Sequence, residues 1–414
     1  MKLGDVLSLR KGLTYKSSHY SNEQAGMIFL TLKSIQRGGG FNTEGVKYYA
    51  GDFDKNAVVK EGDLVIANTD ITRNAEVVGA PMLLPKHLEE PVLISMDLSV
   101  LDIDNDKADN HYLYYLLQTP TARNFMRDHS SGSTVLHLKT KDVPNFGITI
   151  PPLSEQKKIA EILSTVDEEI QKTDEIISAT EKLKRGLMQK LFTRGIGHTK
   201  FKNTEVGEIP AEWNVQTIKE STIQLIDGDR GVNYPKLNEF FDEGHCVFLS
   251  AKNVTKEGFV FDEVSFISKE KDAALRKGKL QRGDVILTSR GTVGNIAYFD
   301  DRVPFENIRI NSGMLIFRGG KDFDPQFMFQ YLSGPQMETL YLSMGSGSAQ
   351  PQLPIRSLEM IRVPIIPIDE QKKISSIIDV VSQKVLVNQK LKDKLSLLKK
   401  GLMQDLLSGK KRTI

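Results

Sequence analysis

The chain has 414 residues, of which 39% are hydrophobic and 26% charged, and its formal net charge is +2. This length predicts two or more domains with sizeable cores, and the composition is ordinary for a globular protein. A single cysteine, Cys246, excludes an intrachain disulfide and a multi-cysteine zinc site. The start lacks an apolar signal core, and no stretch approaches the roughly 20 apolar residues that span a bilayer. We therefore expect a cytoplasmic protein with no membrane contact, whose nucleic-acid-binding faces, if present, are local.

Residues 1–149 are predicted to form a first mixed α/β domain. Short apolar runs bounded by Gly, Asn, Asp and Pro are typical of strands, and examples are Met27–Leu30, Asp63–Ile66 and Leu98–Leu101. The stretch from Tyr112 to Met126 predicts a helix that is interrupted around Pro120.

Residues 150–195 predict one long helix. Ser154 can cap its first free N–H groups, and Glu155 lies at the positive end of the helix dipole. Steps of four and three residues place one side chain per turn on a single seam, as in a helix packed on another helix. The seam positions are Ile159, Leu163, Val166, Ile170, Thr173, Ile177, Thr180, Leu187 and Leu191, with polar Lys184 at the skipped position.

Residues 196–363 predict a second mixed α/β domain that resembles the first. Strand-like runs recur at Cys246–Leu249, Asp284–Leu287 and Met314–Phe317, followed by a helix from Pro325 to Leu332. The segment EGDLVIANT aligns with RGDVILTSR, and FLTLKSIQRGG aligns with FLSAKNVTKEG. Many apolar and Gly positions agree while most polar ones differ, which indicates one fold with two different surfaces.

Residues 364–414 predict a second long helix followed by a short tail. The sequence Glu-Gln-Lys-Lys-Ile of the first helix, which starts at Glu155, returns 215 residues later at Glu370, and Gly-Leu-Met-Gln returns at the same interval. One register over the whole copy indicates a structural unit used twice. The matching seam positions include Ile374, Ile378, Val381, Val385, Asn388, Leu395, Leu402 and Leu406. The basic cluster from Lys410 to Arg412 is interpreted as a solvated end.

The repeat predicts the fold class. We expect an α+β protein in which two similar mixed α/β domains are separated by two long helices, each of roughly 60 Å at about 1.5 Å per residue. A pseudo-two-fold repeat would make the helices an antiparallel coiled coil and bring Thr173 near Asn388, where polar residues can fix the register.

No catalytic or metal site is evident in the sequence. A phosphate loop GxxxxGK[ST], a Gly-rich methyl-donor loop after a strand and an Asn-Pro-Pro-Phe-like methyltransferase motif are all missing. The Glu-x-Lys triplets at Glu155 and Glu370 open the two long helices rather than lying beside a carboxylate on a strand, so they are interpreted as capping charges. The seven histidines are scattered and form no HExxH motif.

Both domains carry loops that mix Arg or Lys with Gly, Ser, Thr and Asn. Such loops suit phosphate contacts and base-edge reading in the major groove, although a single polar loop is most often merely solvated. Two similar domains with different polar surfaces on a rigid spacer predict the reading of two half-sites at a set separation. The candidate DNA-binding residues are Lys33, Arg37, Arg73, Lys139, Lys141, Lys252, Ser289, Arg290, Thr292 and Gln350.

These motifs resemble the specificity subunits of type I restriction-modification systems. The resemblance covers the whole chain and is strongest in IPPLSEQKKIAEIL, IPIDEQKKISSII, GLMQKL, GLMQDL and RGDVILTSRGTVGNIA. It implies two target recognition domains on double-stranded DNA and two docked methyltransferase subunits, which supply S-adenosylmethionine and flip the target adenine. ATP- and Mg²⁺-dependent restriction subunits can join, and the specificity subunit itself has no catalytic centre and binds no cofactor directly.

By position, the resemblance assigns partner docking to the two long helices. The residues expected to dock the partner or join the helix pair are Glu155, Ile159, Thr173, Leu187, Leu191, Glu370, Ile374, Asn388, Leu402 and Leu406. DNA reading falls to loops such as those around Arg73 and Arg290. The first domain departs from the family pattern, since EGDLVIANTDITRNAEVVG stands where the second has RGDVILTSRGTVGNIA.

Three other functions compete with this one. A self-contained methyltransferase or nuclease would need a cofactor or metal motif. A purely structural coiled-coil adaptor would join proteins without reading DNA. A specificity subunit of a different modification or phage-defence system would share the same architecture.

Overall fold

The structure is a computed structural model that describes residues 1–22, 26–86, 88, 91–345 and 352–413. The chain divides into two compact units. Unit 1 comprises Met1–Asp174 with Lys390–Ile414, and unit 2 comprises Glu175–Gln389. Each unit therefore contains one mixed domain, here called head 1 or head 2, and part of both long helices. The predicted domain limits at residues 149, 195 and 363 stay a prediction.

The described residues of head 1 form three sheets. An antiparallel four-stranded sheet has the order Leu7–Lys11, Leu98–Ile103, Leu64–Ala67, Pro81–Leu83. A five-stranded sheet, which contains one parallel pair at its third and fourth positions, has the order Tyr20–Ser21, Lys47–Tyr49, Met27–Leu30, Val92–Ile94, Val58–Val59. A small sheet has the order Ser130–Ser131, Leu136–Leu138, Thr69–Asp70.

Head 2 repeats this arrangement. Its antiparallel four-stranded sheet has the order Gln224–Asp227, Met314–Arg318, Val285–Thr288, Ile296–Tyr298. A three-stranded sheet, again with one parallel pair, has the order Phe266–Ile267, Cys246–Phe248, Ile308–Arg309. Three two-stranded ribbons pair Phe201–Thr204 with Gly207–Pro210, Asn214–Thr217 with Arg362–Ile365, and Val254–Thr255 with Gly258–Phe259.

The helices fall in matching places in the two copies. The predicted interruption near Pro120 is confirmed, because the chain breaks there into two helices and a Pro opens the second. The α-helices are Asn110–Leu117, Pro120–Asp128, Leu153–Arg194, Lys269–Ala274, Pro325–Leu332, Pro335–Gly345, Ile355–Glu359 and Ile368–Leu407. Short 3-10 turns cover Leu3–Asp5, Ser17–His19, Leu32–Ser34, Thr43–Gly45, Lys55–Ala57, Thr140–Asn145, Leu237–Glu239 and Ala251–Asn253.

The long helices, Leu153–Arg194 and Ile368–Leu407, bury the predicted seams. Every seam position predicted in the first helix is buried or half-buried, as is every one in the second. Lys184, the polar exception, is half-buried too, and burial lowers the pKa of its ammonium group despite the nearby Glu181 and Asp379 carboxylates.

The helices run antiparallel inside each unit. In unit 1, Lys399 pairs with Asp167 at 2.6 Å and Lys392 pairs with Asp174 at 2.6 Å. The residue numbers along one helix therefore increase in the direction in which those along the other decrease. In unit 2, Met188 and Leu191 share a hydrophobic cluster with Ile374 and Ile378. The predicted α+β fold, with two similar mixed domains and antiparallel long helices, is confirmed. The predicted proximity of Thr173 and Asn388 stays a prediction, because the two residues belong to different units.

A buried glutamine ties the start of each long helix to its own head. The amide of Gln156 accepts a hydrogen bond from the Asp109 N–H at 3.0 Å and donates to the carbonyls of Lys107 and Pro151. Gln371 makes the same three bonds, to the N–H of Asp324 and the carbonyls of Asp322 and Ile366. Each partner in the second copy lies 215 residues beyond its counterpart in the first. The repeated Glu-Gln-Lys-Lys motif is therefore a tether as well as a helix start.

Candidate nucleic-acid interface

Head 2 has a cavity at the C-terminal end of the strand Gln224–Asp227. Its volume is about 220 Å³, and it is lined by Arg230, Arg290 and Arg356 together with Asp227, Ser289, Leu315 and Gln352–Ile355. The three guanidinium groups come from three separated segments of the chain. The cavity therefore carries a local excess of positive charge, although the net charge of the whole protein is close to zero. A DNA-binding protein with this net charge needs such a local basic surface.

The loop that follows the first strand holds Arg230 in place. Its guanidinium group donates to the Asp227 carboxylate at 3.2 Å and to the Ser312 carbonyl at 3.2 Å. Buried Asp229 accepts hydrogen bonds from the backbone N–H groups of Gly231 at 2.8 Å and Arg276 at 2.7 Å. These two N–H groups lower the pKa of Asp229 to about 2, so its charge braces the loop at any ordinary pH.

Arg290 lies just beyond the strand Val285–Thr288. Its backbone is fixed by an antiparallel bridge to Gln352 and by its N–H, which donates to the Gly313 carbonyl at 3.2 Å. The side chain is exposed, and no carboxylate pairs with it within the described parts of the chain. Ser289, another sequence candidate, is buried and contributes its backbone to this bridge region. Thr292 is exposed on the same turn, and its carbonyl accepts from the Thr288 hydroxyl.

Head 1 presents different residues on the equivalent positions. Thr69 pairs with His137 in head 1 as Arg290 pairs with Gln352 in head 2, so Thr69 occupies the place of Arg290. By the register of the first strand, Lys11 corresponds to Asp227, and Thr14 corresponds to Arg230. The alignment of EGDLVIANT with RGDVILTSR also places Thr69 opposite Arg290, and Arg73 lies four residues further along the chain.

An insertion in head 1 carries Arg73. Eleven residues, 68–78, separate Ala67 from Gly79, whereas five residues, 289–293, join the matching positions of head 2. Buried Asp70 braces this longer loop by accepting from the N–H groups of Thr72 at 2.5 Å, Val77 at 2.5 Å and Val78 at 2.7 Å. Burial alone would raise the pKa of Asp70, but these hydrogen bonds outweigh it and lower that pKa. They also hold Ala75 at φ +53°, a left-handed conformation that costs on the order of 1 kcal/mol.

The remaining DNA candidates lie on exposed surface where the structure describes them. Arg37 pairs with Glu76 at 3.3 Å, and Lys252 pairs with Glu263 at 3.1 Å. Lys33, Arg73, Lys139 and Lys141 are exposed. Gln350 lies outside the described residues. No structural observation tests which of these residues contacts DNA, and their role stays a prediction.

Most helix residues predicted to join the pair or dock a partner lie inside the units. Ile159 and Leu406 belong to the core of unit 1, with Leu402 packed against it. Leu191 and Ile374 belong to the core of unit 2, with Leu187 packed against it. Thr173 is buried, and Asn388 is half-buried with its amide bonded to the Lys384 carbonyl. The six apolar side chains hold the helices on the heads.

Glu155 and Glu370 each receive the segment that follows the opposite long helix. The Arg412 guanidinium binds the Glu155 carboxylate at 2.5 to 2.9 Å, so the basic tail, which is exposed as the sequence suggested, is also anchored. Glu370 accepts from the Trp213 indole at 3.1 Å, the Ile196 N–H at 2.9 Å and the His198 ring at 2.9 Å. The two carboxylates are therefore anchors within their units.

Sequence reasoning missed a repeated exposed apolar pair on the long helices. Ile176 and Leu183 are 44% and 56% exposed, and they lie seven residues apart on one face of unit 2. Their counterparts 215 residues later, Leu391 and Leu398, are 44% and 51% exposed in unit 1. The signal was present in the sequence, because both pairs fall outside the buried seam at equal positions of the repeat.

Neither a metal site nor a membrane span is found in the described part of the chain. No group of three or more His, Cys, Asp or Glu side chains there is arranged to hold an ion. No helix among those residues combines the length and apolar character needed to cross a bilayer. Cys246 is buried, and burial raises the pKa of its thiol to about 12.

Comparison with known proteins places the chain in a family. The profile described as "Type I restriction modification DNA specificity domain" matches residues 1–181 and again 210–397. The MjaVIII type I restriction enzyme specificity subunit of Methanocaldococcus jannaschii is 30% identical over 326 residues, 77% of this chain and 74% of the relative. The EcoBI specificity subunit of Escherichia coli is 24% identical over 390 residues, 90% of this chain and 77% of the relative.

A solved structure shares the fold. The S subunit of a type I restriction-modification system from M. genitalium superposes with a TM-score of 0.60 at 17% identity, covering 98% of this chain and 95% of that one. The chain therefore belongs to the type I restriction-modification DNA specificity family. It is a specificity subunit with two target recognition domains, a class of non-catalytic subunits.

Proposed function

We propose that this chain reads a bipartite, asymmetric site on double-stranded DNA, with one half-site for each head, and docks two methyltransferase subunits on its helices. The observation that carries the proposal is the pairing of one scaffold with two different polar faces. Arg290 and Thr69 hold the same place in the two heads, as do Asp227 and Lys11. Two heads of one fold with different side chains at the reading positions favour two different half-sequences.

The loops supply both kinds of contact that DNA recognition needs. Exposed lysines in head 1 suit phosphates, which fix position without reading sequence. Arginine, threonine and histidine at the ends of the central strands suit base edges. The buried carboxylates Asp70 and Asp229 brace the loops before DNA arrives, which lowers the entropy cost of binding.

The repeated exposed pairs support the number of partners. Ile176 with Leu183 and Leu391 with Leu398 are equivalent by the internal repeat, and each unit carries one pair. Equivalent apolar surfaces favour two copies of the same partner. We identify these partners as methyltransferase subunits, which bring S-adenosylmethionine. Restriction subunits that use ATP and Mg²⁺ can add to the same assembly, and the complex works on DNA in the cytoplasm.

Assembly and DNA binding by purified proteins test the proposal together. The full chain is co-expressed with the methyltransferase subunit encoded beside it, and light scattering gives the stoichiometry. We expect two methyltransferase subunits per chain and salt-dependent, sequence-specific duplex binding. An assembled complex that shows no sequence preference on any duplex would favour the structural adaptor. Stoichiometric binding of S-adenosylmethionine by the chain alone would favour an enzyme.

A further inference from the structure

We infer that the arginine-lined cavity of head 2 reads a guanine through the major groove, with Arg290 as the side chain that contacts the base. The inference rests on the proposed function and names the chemistry that this head recognises. It predicts that the half-site read by head 2 contains a guanine at which Arg290 sets the preference.

The backbone at Arg290 is held from two sides while its side chain is free to act. The bridge to Gln352 and the bond to the Gly313 carbonyl fix the position of the Cα atom. The exposed guanidinium group has no carboxylate partner among the residues that the structure describes. An arginine with this freedom presents a planar fork of N–H donors, which matches the O6 and N7 acceptors of guanine.

Arg230 is already engaged and plays a different part. Its bonds to the Asp227 carboxylate and the Ser312 carbonyl hold it along one wall of the cavity. Its positive charge there favours an acceptor-rich ligand for Arg290, and the fixed wall limits the directions in which Arg290 can reach. Arg230 is therefore a positioning residue in this account.

The carboxylate of Asp227 does not leave the cavity negative. Asp227 lines the same cavity as Arg290 and is partly accessible, but it is paired with Arg230. The three guanidinium groups therefore keep a net positive charge that attracts any acceptor-rich group. A base contact and a phosphate contact differ in one respect that can be measured, because only the base contact depends on the guanine N7 atom.

The equivalent face of head 1 lacks this chemistry. Thr69 takes the place of Arg290, Lys11 takes the place of Asp227, and Thr14 takes the place of Arg230. Thr69 is buried and its hydroxyl donates to the Asp97 carboxylate at 3.3 Å. The inference therefore applies to one half-site and not to the other.

The test uses the full complex of this chain with its methyltransferase subunits, on a duplex that carries the motif mapped from methylated DNA. Each guanine of the motif is replaced in turn by 7-deazaguanine, which lacks the N7 acceptor but keeps its base pairing. For the wild-type complex, we expect one replacement in one half-site to weaken binding by about 10-fold. Arg290→Ala should weaken binding to the natural duplex by a similar factor and be insensitive to that replacement.

Arg302→Ala is the matched control in the same head. Arg302 is exposed and its guanidinium group donates to the Asp300 carboxylate at 2.7 Å, and it does not line the cavity. This variant should keep the full 7-deazaguanine penalty. If the loss of affinity caused by Arg290→Ala and the loss caused by 7-deazaguanine multiply at every guanine position, the two act independently, and the inference is overturned. An Arg290→Ala loss that is equal on all duplexes and lowers the salt dependence by about one ion, the signature of a phosphate contact, would also overturn it.

The proposed function fails by a separate result. A wild-type complex that binds the mapped motif no better than a scrambled duplex would remove the reader role itself. Sequence-specific binding by the wild type with no role for Arg290 would overturn only the guanine assignment.

Discussion

The two heads share their sheets but brace different loops. In head 1, buried Asp70 organises the insertion of residues 68–78, which leaves the central strand Leu64–Ala67. In head 2, the matching loop is short, and buried Asp229 organises the loop that leaves the first strand, Gln224–Asp227. In head 1 that first loop is packed instead, because Tyr15 contacts Tyr20 and Phe29.

The difference shows how one scaffold can acquire two specificities. The strands, the paired helices and the glutamine tethers obey the repeat and carry most of the buried apolar surface. The loops at the strand ends do not obey it, and each head stabilises its own loop with a charge that is buried and hydrogen-bonded. Changes in the loops can therefore alter recognition at little cost to the core.

The largest expected effect separates the buried seam from the exposed pair on one helix. Leu187→Asp places a carboxylate against the core of unit 2 and should lower the free energy of unfolding by on the order of 3 kcal/mol. Leu183→Asp, at a 56% exposed position four residues earlier, should leave stability near wild type but weaken docking of the methyltransferase subunit. Urea unfolding and light scattering of the complex measure the two effects. Normal assembly by Leu183→Asp would show that the docking surface lies elsewhere.

The glutamine tethers test whether the two copies are energetically alike. Gln371→Leu removes three hydrogen bonds and leaves buried backbone groups unpaired, which should lower the free energy of unfolding by about 2 kcal/mol. Trp213, the only Trp, lies in unit 2, so its fluorescence reports on that unit. The Trp transition should move with Gln371→Leu and much less with Gln156→Leu, whose effect should appear by circular dichroism. Equal shifts of the Trp signal in both variants would refute local tethering.

The brace of the head 1 insertion gives a smaller effect on DNA reading. Asp70→Asn removes the charge that accepts from three backbone N–H groups, and we expect affinity for one half-site to fall by about 10-fold. Competition with duplexes altered in one half at a time provides the measurement. Asp106→Asn, at an exposed position of the same head, should behave like the wild type. If Asp70→Asn instead reduced the sequence preference at the half-site that depends on Arg290, the assignment of one half-site to each head would be contradicted.

The smallest expected effect is a dependence on acid. The hydrogen bond from Arg412 lowers the pKa of Glu155 below its ordinary value of 4.5. A carboxylate whose pKa is lower when folded stabilises the fold above its ordinary pKa and loses that contribution as the pH falls through the lowered value. The urea midpoint of wild type should therefore fall more steeply below pH 4.5 than that of Glu155→Gln. Parallel curves for the two proteins would contradict the anchoring role of Arg412.

Periodicity and repetition predicted the architecture because the core obeys both. The helix Pro325–Leu332 and the break at Pro120 follow directly from local sequence. The departure of the first domain from the family pattern was visible in the sequence, but the sequence could not show that six extra residues form a separate loop braced by Asp70. The link from Arg412 to Glu155 was missed, since it joins residues 257 apart. The exposed apolar pairs on the long helices could have been predicted by comparing the two copies of the helix for apolar residues that lie outside the seam at equivalent positions.

Base-resolution mapping of methylated adenine tests the central claim most directly. The DNA comes from cells that carry this gene with its neighbouring methyltransferase gene, and from cells in which this gene is deleted or carries Arg290→Ala or Asp70→Asn. We predict a gapped, asymmetric motif that is absent from cells with the deletion. We also predict that Arg290→Ala weakens the sequence preference in one half of this motif and that Asp70→Asn weakens it in the other half. A motif that survives the deletion, or that both substitutions degrade in the same half, would contradict two heads with separate specificities.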